Sequence, residues 1–292
     1  MSAIAAEPAL RPTTPRGAPL RRFVRRNPTI VAGGSILGII ALLALLAPLF
    51  AGDAITMHPV LRLRPPSEAY WLGADHLGRD VFARTVYGAR VSLFVGVSVA
   101  TMSIMCGLFI GLMAGYFRKV DAVVMRLMDG LMAIPAILLA IALVALTRAS
   151  VSAVIVAITI PEIPRVVRLV RAVVLGVREA PYVEAAIAGG TPTWKILIRH
   201  ILPNTIAPLI VQATYICASA ILIEAALSFL GAGTPPEIPT WGNMIAQSRL
   251  FLARAPWTIF APGIALALVV LGVNLLGDGL RDRLDPRLAR RM

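Results

Sequence analysis

The chain has 292 residues, is 58% hydrophobic with a mean hydropathy of +0.81, and carries only 15% charged residues. Soluble domains carry about 25%, so an ordinary soluble domain is excluded. The formal net charge of +13 raises nucleic acid as a partner, but no aromatic–basic interleaving supports it and the charges gather between apolar runs instead.

Residues 1–27 form a tail rich in Pro and Arg. Its polar stretch is far too long for a cleavable signal peptide, and the 21 apolar residues Ile30–Phe50 exceed an h-region. Segment 28–50 therefore reads as an uncleaved first span. Residues 51–90 are the longest polar stretch between spans. Uncharged runs of 18 or more residues read as spans, and Val91–Phe117, His200–Ile223 and Ala255–Gly277 qualify with Ile30–Phe50. Gly130–Thr147 and Ala149–Pro164 are less clean, the second being short and carrying Pro161, Glu162 and Pro164. The expectation is an all-α membrane protein of about six transmembrane helices, because lipid leaves exposed backbone groups without partners. The core is then 91–277, holding the second to sixth spans, and 278–292 is a charged tail.

With the N-terminus placed inside, 20 Lys and Arg fall on the inner side and 8 on the outer. This bias predicts an N-in, C-in topology, with 1–27 and 278–292 cytoplasmic and 51–90 extracytoplasmic. Cys106 and Cys217 lie within expected spans, where a free thiol behaves as a small hydrophobe. No disulfide framework or metal pattern is visible. Gly107, Gly111 and Gly115 recur every fourth residue, a spacing that permits close helix approach.

The inside loop between the fourth and fifth spans, Glu184–Asn204, reads EAAIAGGTPTWKILIRHILPN. Glu184-Ala185-Ala186-Ile187-Ala188 favours helix, and Gly189-Gly190 supplies a left-handed stop. Thr191 and Pro192 predict a restart, Thr as N-cap and Pro at the first helical position. Trp194, Leu197, Ile198 and Ile201 then share one helical face, and Pro203 ends the run. Two readings stand: an interfacial helix among lipid head groups, or a docking helix for a cytosolic partner.

This segment resembles the EAA loop of permease subunits of bacterial ABC importers. Glu184, Ala185, Ala186, Gly190, Leu202 and Pro203 match that pattern in register, and His200 stands where the general pattern has Ile. His-x-Leu-Pro is similar to the dipeptide/oligopeptide/nickel branch. Tyr70–Leu93, Leu227–Met244 and Asn274–Arg287 are also branch-like, with Gly73-Ala74-Asp75 departing mildly from the usual Gly-Thr-Asp. The second EAA, at Glu224-Ala225-Ala226, lacks the glycine because Leu230 occupies its place.

The resemblance implies a subunit without enzymatic activity of its own in the bacterial inner membrane. It implies a second homologous permease forming a heterodimer, two cytosolic ATPase subunits that use ATP and Mg, and an extracytoplasmic solute-binding protein. Glu184, Ala185, Ala186, Gly190, Trp194, Leu197, His200, Leu202 and Pro203 would form the ATPase-coupling helix. Di- or oligopeptides are the expected solutes, with nickel or other metal chelates and related small solutes as the alternative.

The residues agree that ATP chemistry is elsewhere. A P-loop needs Lys before Ser or Thr in a Gly-rich turn, and the only lysines, Lys119 and Lys195, lie in other contexts. A rival class, the ATP-independent secondary carrier, would favour ionisable residues at the midplane, for which Glu224 is the one hint. Glu224 reads either as part of a translocation pathway or as a structural hydrogen-bonding group. Asp75, Arg79, Asp80 and Arg90 read either as contacts to an extracytoplasmic partner or as a salt-bridge network within the loop. His58 and His76 have no metal-site spacing, and Asp278, Arg281, Asp282 and Asp285 read as a solvated tail.

Overall fold

The computed structural model describes residues 19–284. Residues 1–18 of the N-terminal tail and 285–292 of the C-terminal tail, including Asp285 and Arg287, lie outside the described residues. Helices dominate, and the described residues hold no strand beyond one isolated bridge between Ala74 and Asp80.

In chain order the helices are α1 (Pro19–Arg26), α2 (Pro28–Phe50), α3 (Val81–Tyr116), α4 (Arg118–Met132), α5 (Ala136–Ala145) and α6 (Val151–Arg178). They continue with α7 (Pro181–Ala188), the turn α8 (Thr193–Lys195), α9 (Leu202–Phe229), α10 (Trp241–Ser248) and α11 (Trp257–Leu284). Four stretches among the described residues are long and apolar enough to cross a membrane: α2, α3, Thr193–Phe229 and α11. A fifth appears if α4 and α5, bent by 87°, count as one.

Several boundaries differ from expectation. The helix of the second span starts at Val81 rather than Val91 and runs 36 residues, about 54 Å. The third run is broken: α5 has ten residues, about 15 Å, half of a bilayer core. Pro135, which lacks an N–H and disfavours helix in the residue before it, makes the break. Of the expected span 149–164, residues 151–164 are only the first half of α6, which passes through Pro161 and Pro164 without interruption. At the C-terminal end, α11 continues seven residues beyond Gly277.

The glycine pattern fixes helix directions. A Cβ at Gly111 would lie 2.7 Å from the Val170 Cβ, and one at Gly115 would lie 2.6 Å from the Val174 Cβ, while Gly107 abuts Val166. The residue numbers rise together, so α3 and α6 run parallel. Gly96 abuts Ile221 and the Cys217 carbonyl, while Gly88 abuts Trp241 of α10, whose neighbour Gly242 packs on Ala225 and Ser228; the two points set α9 antiparallel to α3. A Cβ at Gly33 would lie 2.5 Å from the Gly272 carbonyl oxygen, and one at Gly279 would meet Thr29 and Ile30, which sets α2 antiparallel to α11. Since α3 and α6 are parallel, α4 and α5 must carry the chain back between them. One end of the bundle thus holds the starts of α2 and α9 and the ends of α3, α6 and α11.

Charged residues on α6 are paired rather than bare. Arg171 donates twice to Asp121 of α4, at 2.5 and 2.7 Å, and Arg168 reaches Asp129 at 2.5 Å.

The α3–α6 seam gives a direct prediction. Gly111→Val is expected to destabilise the chain by about 1–3 kcal/mol through overpacking, read as a lower thermal midpoint in detergent. Gly176→Ala, on the same α6 but with no atom within 4 Å of the added Cβ, is expected to leave the midpoint unchanged or raised.

Candidate functional site

α6 ends with Arg178, which donates to the Tyr116 carbonyl at the end of α3, at 3.1 Å. A short turn leads into α7, whose first residue is Pro181. The helix then closes as the glycine pair requires. The Thr191 N–H reaches the Ala186 carbonyl and the Gly190 N–H reaches the Ile187 carbonyl, both at 3.0 Å. Gly190 adopts φ +74°. This is the double closure of a Schellman motif, with the left-handed residue a glycine.

The restart differs in detail from expectation. Pro192, not Thr191, is the N-cap, in extended conformation and without a side-chain hydrogen bond. Residues Ile196–Ile201 then form a π turn that passes directly into α9. Pro203 therefore does not end the run. It sits in the first turn of α9, and a π turn already departs from the i→i−4 ladder that a residue without N–H would interrupt.

The wider turn also splits the expected apolar face. Ile196, Leu197 and Ile201 are buried with Val183 in the main core cluster. Trp194 and Ile198 remain 60% and 58% exposed, and Ile187 and Tyr182 of α7 are exposed as well. The loop thus has a rooted face and a free apolar face. Lys195 lies 5.5 Å from the Trp194 ring. Glu184 and Ala185 are exposed, while Ala186, His200 and Leu202 are half-buried.

His200 has a structural neighbour in Tyr182, their rings 6.2 Å apart. The Asn204 amide donates to the His200 carbonyl at 2.7 Å and to the Tyr182 hydroxyl at 3.3 Å. These contacts staple α7 to the start of α9. Val183, Tyr182 and Asn204 were not singled out from the sequence. Tyr182 and Asn204 are 22 residues apart, and no local periodicity pairs them.

Glu224 is fully buried. Its Oε1 accepts from the Ser228 hydroxyl at 2.9 Å, and Gly242 of α10 packs on the adjacent Ala225 and Ser228. Its Oε2 is buried without a hydrogen-bond partner among the described residues, so the site satisfies only half of the carboxylate.

The opposite end of the bundle carries the second cluster. Asp75 and Arg79 are 5% and 3% exposed. Asp75 accepts from Arg79 Nε at 2.7 Å and from the backbone N–H groups of Leu77 and Arg79. Arg84 Nε approaches the same carboxylate at 3.7 Å. Arg79 also donates to Gln247, and Arg84 to the Ala54 carbonyl. Asp80 caps α3 by accepting from Phe82 N–H at 2.8 Å. Only Arg90 of the four expected contact residues is exposed, its guanidinium beside the Tyr87 ring. Asp75 and Arg79 thus form an internal ion-paired network with Arg84 beside it, while Asp80 is a half-buried helix cap outside it.

His76 stacks on Phe251 at 5.6 Å, and burial pushes its imidazole below the ordinary value against the opposing pull of Asp75. Among the described residues no three His, Cys, Asp or Glu side chains gather to hold a metal ion.

Residues 104–290 match the family described as "Binding-protein-dependent transport system inner membrane component". The chain belongs to this family. It is a multi-pass inner-membrane permease component. It is 60% identical over 270 residues to a probable peptide ABC transporter permease of Sinorhizobium fredii, covering 92% of this chain and 93% of that protein. A dipeptide transport system permease of Alkalihalophilus pseudofirmus is 44% identical over 91% of this chain and 88% of its own length. A glutathione transport system permease of Pectobacterium atrosepticum is 40% identical over 92% and 90%. The fold is similar to a chain of the MetNI methionine ABC transporter in an inward-facing conformation. The TM-score is 0.55 at 20% identity, over 69% of this chain and 96% of that one.

Proposed function

We propose that this chain is one permease subunit of an ATP-driven importer for di- or oligopeptides, working beside a second homologous permease. Two cytosolic ATPase subunits would supply the energy using ATP and Mg, and an extracytoplasmic binding protein would deliver the solute. The observation that carries this reading is the two-faced Glu184–Asn204 loop. Its Ile196, Leu197 and Ile201, with Val183 just before it, are locked into the bundle, while Trp194, Ile198 and Ile187 are exposed. A rooted loop with a free aromatic anchor transmits motion, whereas a floppy one dissipates it. The relatives named for peptides and dipeptides support the solute class.

The N-in, C-in topology is part of the proposal. α1, the start of α9 and the end of α11 share one end of the bundle, and with that end inside, 15 of the 23 Lys and Arg among the described residues fall on the inner side. In the proposed cycle, closure of the ATPases pushes this loop and the helices rock to face outward. The binding protein then releases solute, and hydrolysis resets the inward-facing state. The ATPases drive this only if they contact the loop differently in the two states.

Pulldown of the tagged chain in mild detergent is expected to recover the second permease and the ATPases. Trp194→Glu is expected to weaken ATPase retention more than about 30-fold, the loss typical of a buried aromatic anchor, with the second permease retained. A chain that keeps its sister permease yet never recovers an ATPase overturns the reading.

A further inference from the structure

The ion pairs of α6 stand at a depth where the neighbouring helix is wholly apolar. Gly107 of α3 abuts Val166 of α6, Gly111 abuts Val170 and Gly115 abuts Val174. This register sets Arg165 level with Cys106 and Arg168 level with Phe109. Both levels fall within the uncharged run Val91–Phe117. They lie about 3 and ~8 Å past its midpoint at Ile104, by the helical rise per residue. Half of a bilayer core is about 15 Å, so both arginines lie at hydrocarbon depth.

Neither is sealed off. The Arg165 side chain is 41% exposed, and those of Arg168 and Asp129 are 44% and 60% exposed. Arg165 and Arg168, three residues apart, share one side of α6. Arg165 donates to the buried Glu162 at 3.2 Å, and Arg168 donates to Asp129 of α4. Toward the inner end the α4–α6 seam continues with the Arg171–Asp121 pair.

The helix pair beside this seam is broken at a similar depth. α5 reaches only half of the core from its outer end, which places the bend before it near the middle, and Ile134 at that bend is exposed. Non-helical backbone at membrane depth is tolerated only where protein buries it or where it lines water. Charged side chains at that depth face the interior of a bundle or a water-filled cavity, because lipid leaves them unsolvated. Between water and a protein partner, the pairing favours water. Each cation already has its counter-charge, so a partner's surface would strip water from both ions without adding a pair.

We propose that the α4–α6 seam, with Arg165, Arg168 and Asp129 at its middle, is this chain's wall of a water-filled solute pathway. Three cations and three anions line the seam, which suits a zwitterionic solute such as a short peptide. Each terminus meets an opposite charge that is already shared, so neither is held tightly enough to stall release. The proposal rests on the reading of the chain as a peptide permease whose sister subunit closes the other side.

The test is thiol accessibility in the complex assembled in lipid nanodiscs, with Cys106→Ser and Cys217→Ser removing the native thiols. A charged maleimide that does not enter lipid reacts with thiolate, which forms in water and is suppressed in lipid. Arg168→Cys breaks only an exposed pair, of little weight in stability. Ala172→Cys, one turn further along the exposed side of α6, breaks none. Both are expected to label at least about ten-fold faster than Phe109→Cys, which is level with Arg168 and 68% exposed on α3. Labelling no faster than at Phe109→Cys overturns the proposal. So does labelling of the lone chain that assembly with the sister permease abolishes, which would make the seam a subunit contact. In uptake, Arg168→Glu is expected to cut transport of an acidic dipeptide about five-fold more than that of a neutral one, from unit charges meeting in water. Equal cuts overturn the assignment. Recovery of the sister permease and ATPases with the same tagged chain is scored separately, so failure of the pathway wall and failure of the importer reading are distinguishable.

Discussion

Gly190→Trp is expected to abolish ATP-coupled uptake while leaving the chain inserted and paired with its sister permease. Gly190 holds φ +74° and ends α7 by the paired hydrogen bonds of Gly190 and Thr191. A side chain there carries a left-handed strain of about 1–2 kcal/mol. No atom lies within 4 Å of an added Cβ, so the chain itself offers no clash. The indole would project into open space at the junction of α7 and α8, space that a docked partner's surface would need. The series separates the two effects. Gly190→Asn tolerates the left-handed backbone and is expected to retain most uptake, with Gly190→Ala falling between. Normal uptake by the Trp variant, at wild-type abundance in the membrane, would sink the coupling role.

The series also shows which features were legible in the sequence. The Gly189–Gly190 stop was readable because a left-handed helix end is a local backbone demand that glycine meets. The apolar face beyond it was only half readable. A 3.6-residue period grouped Trp194, Leu197, Ile198 and Ile201, but the π turn at Ile196–Ile201 changes the register, burying Leu197 and Ile201 while exposing Trp194 and Ile198. The long spans were legible because an uncharged run has few other homes. α6 was legible only in its first half, since Arg168 and Arg171 make it look polar until their partners Asp129 and Asp121 arrive from α4. Likewise the α4–α5 bend hides within one apolar average, although Pro135 marks it. The spacing of Gly107, Gly111 and Gly115 announced a close contact, but only the structure supplies Val166, Val170 and Val174 as the other side.

The same distinction between a local pattern and a distant partner governs the outer cluster, where the largest effect on stability is expected. Asp75→Ala should destabilise the chain by about 3–5 kcal/mol, the range for breaking a buried ion pair from one side. The carboxylate pairs with the buried Arg79 guanidinium, lies 3.7 Å from that of the buried Arg84, and accepts two backbone N–H groups. Through Arg79 it reaches Gln247 on α10, and through Arg84 the Ala54 carbonyl. One alanine therefore releases three segments of the outer end at once. Thermal midpoint in detergent and protease cutting within residues 51–80 should both report it. Asp75→Asn keeps an acceptor for the N–H groups but not the charge, and should fall between wild type and alanine. Arg90→Ala removes an exposed cation and should leave the midpoint within about 0.5 kcal/mol of wild type. If Arg90→Ala nevertheless lowers uptake, the exposed arginine is the one of the four that contacts an extracytoplasmic partner. An Asp75→Ala midpoint equal to wild type would show that the guanidinium pair is compensated from elsewhere, and the network would lose its structural meaning.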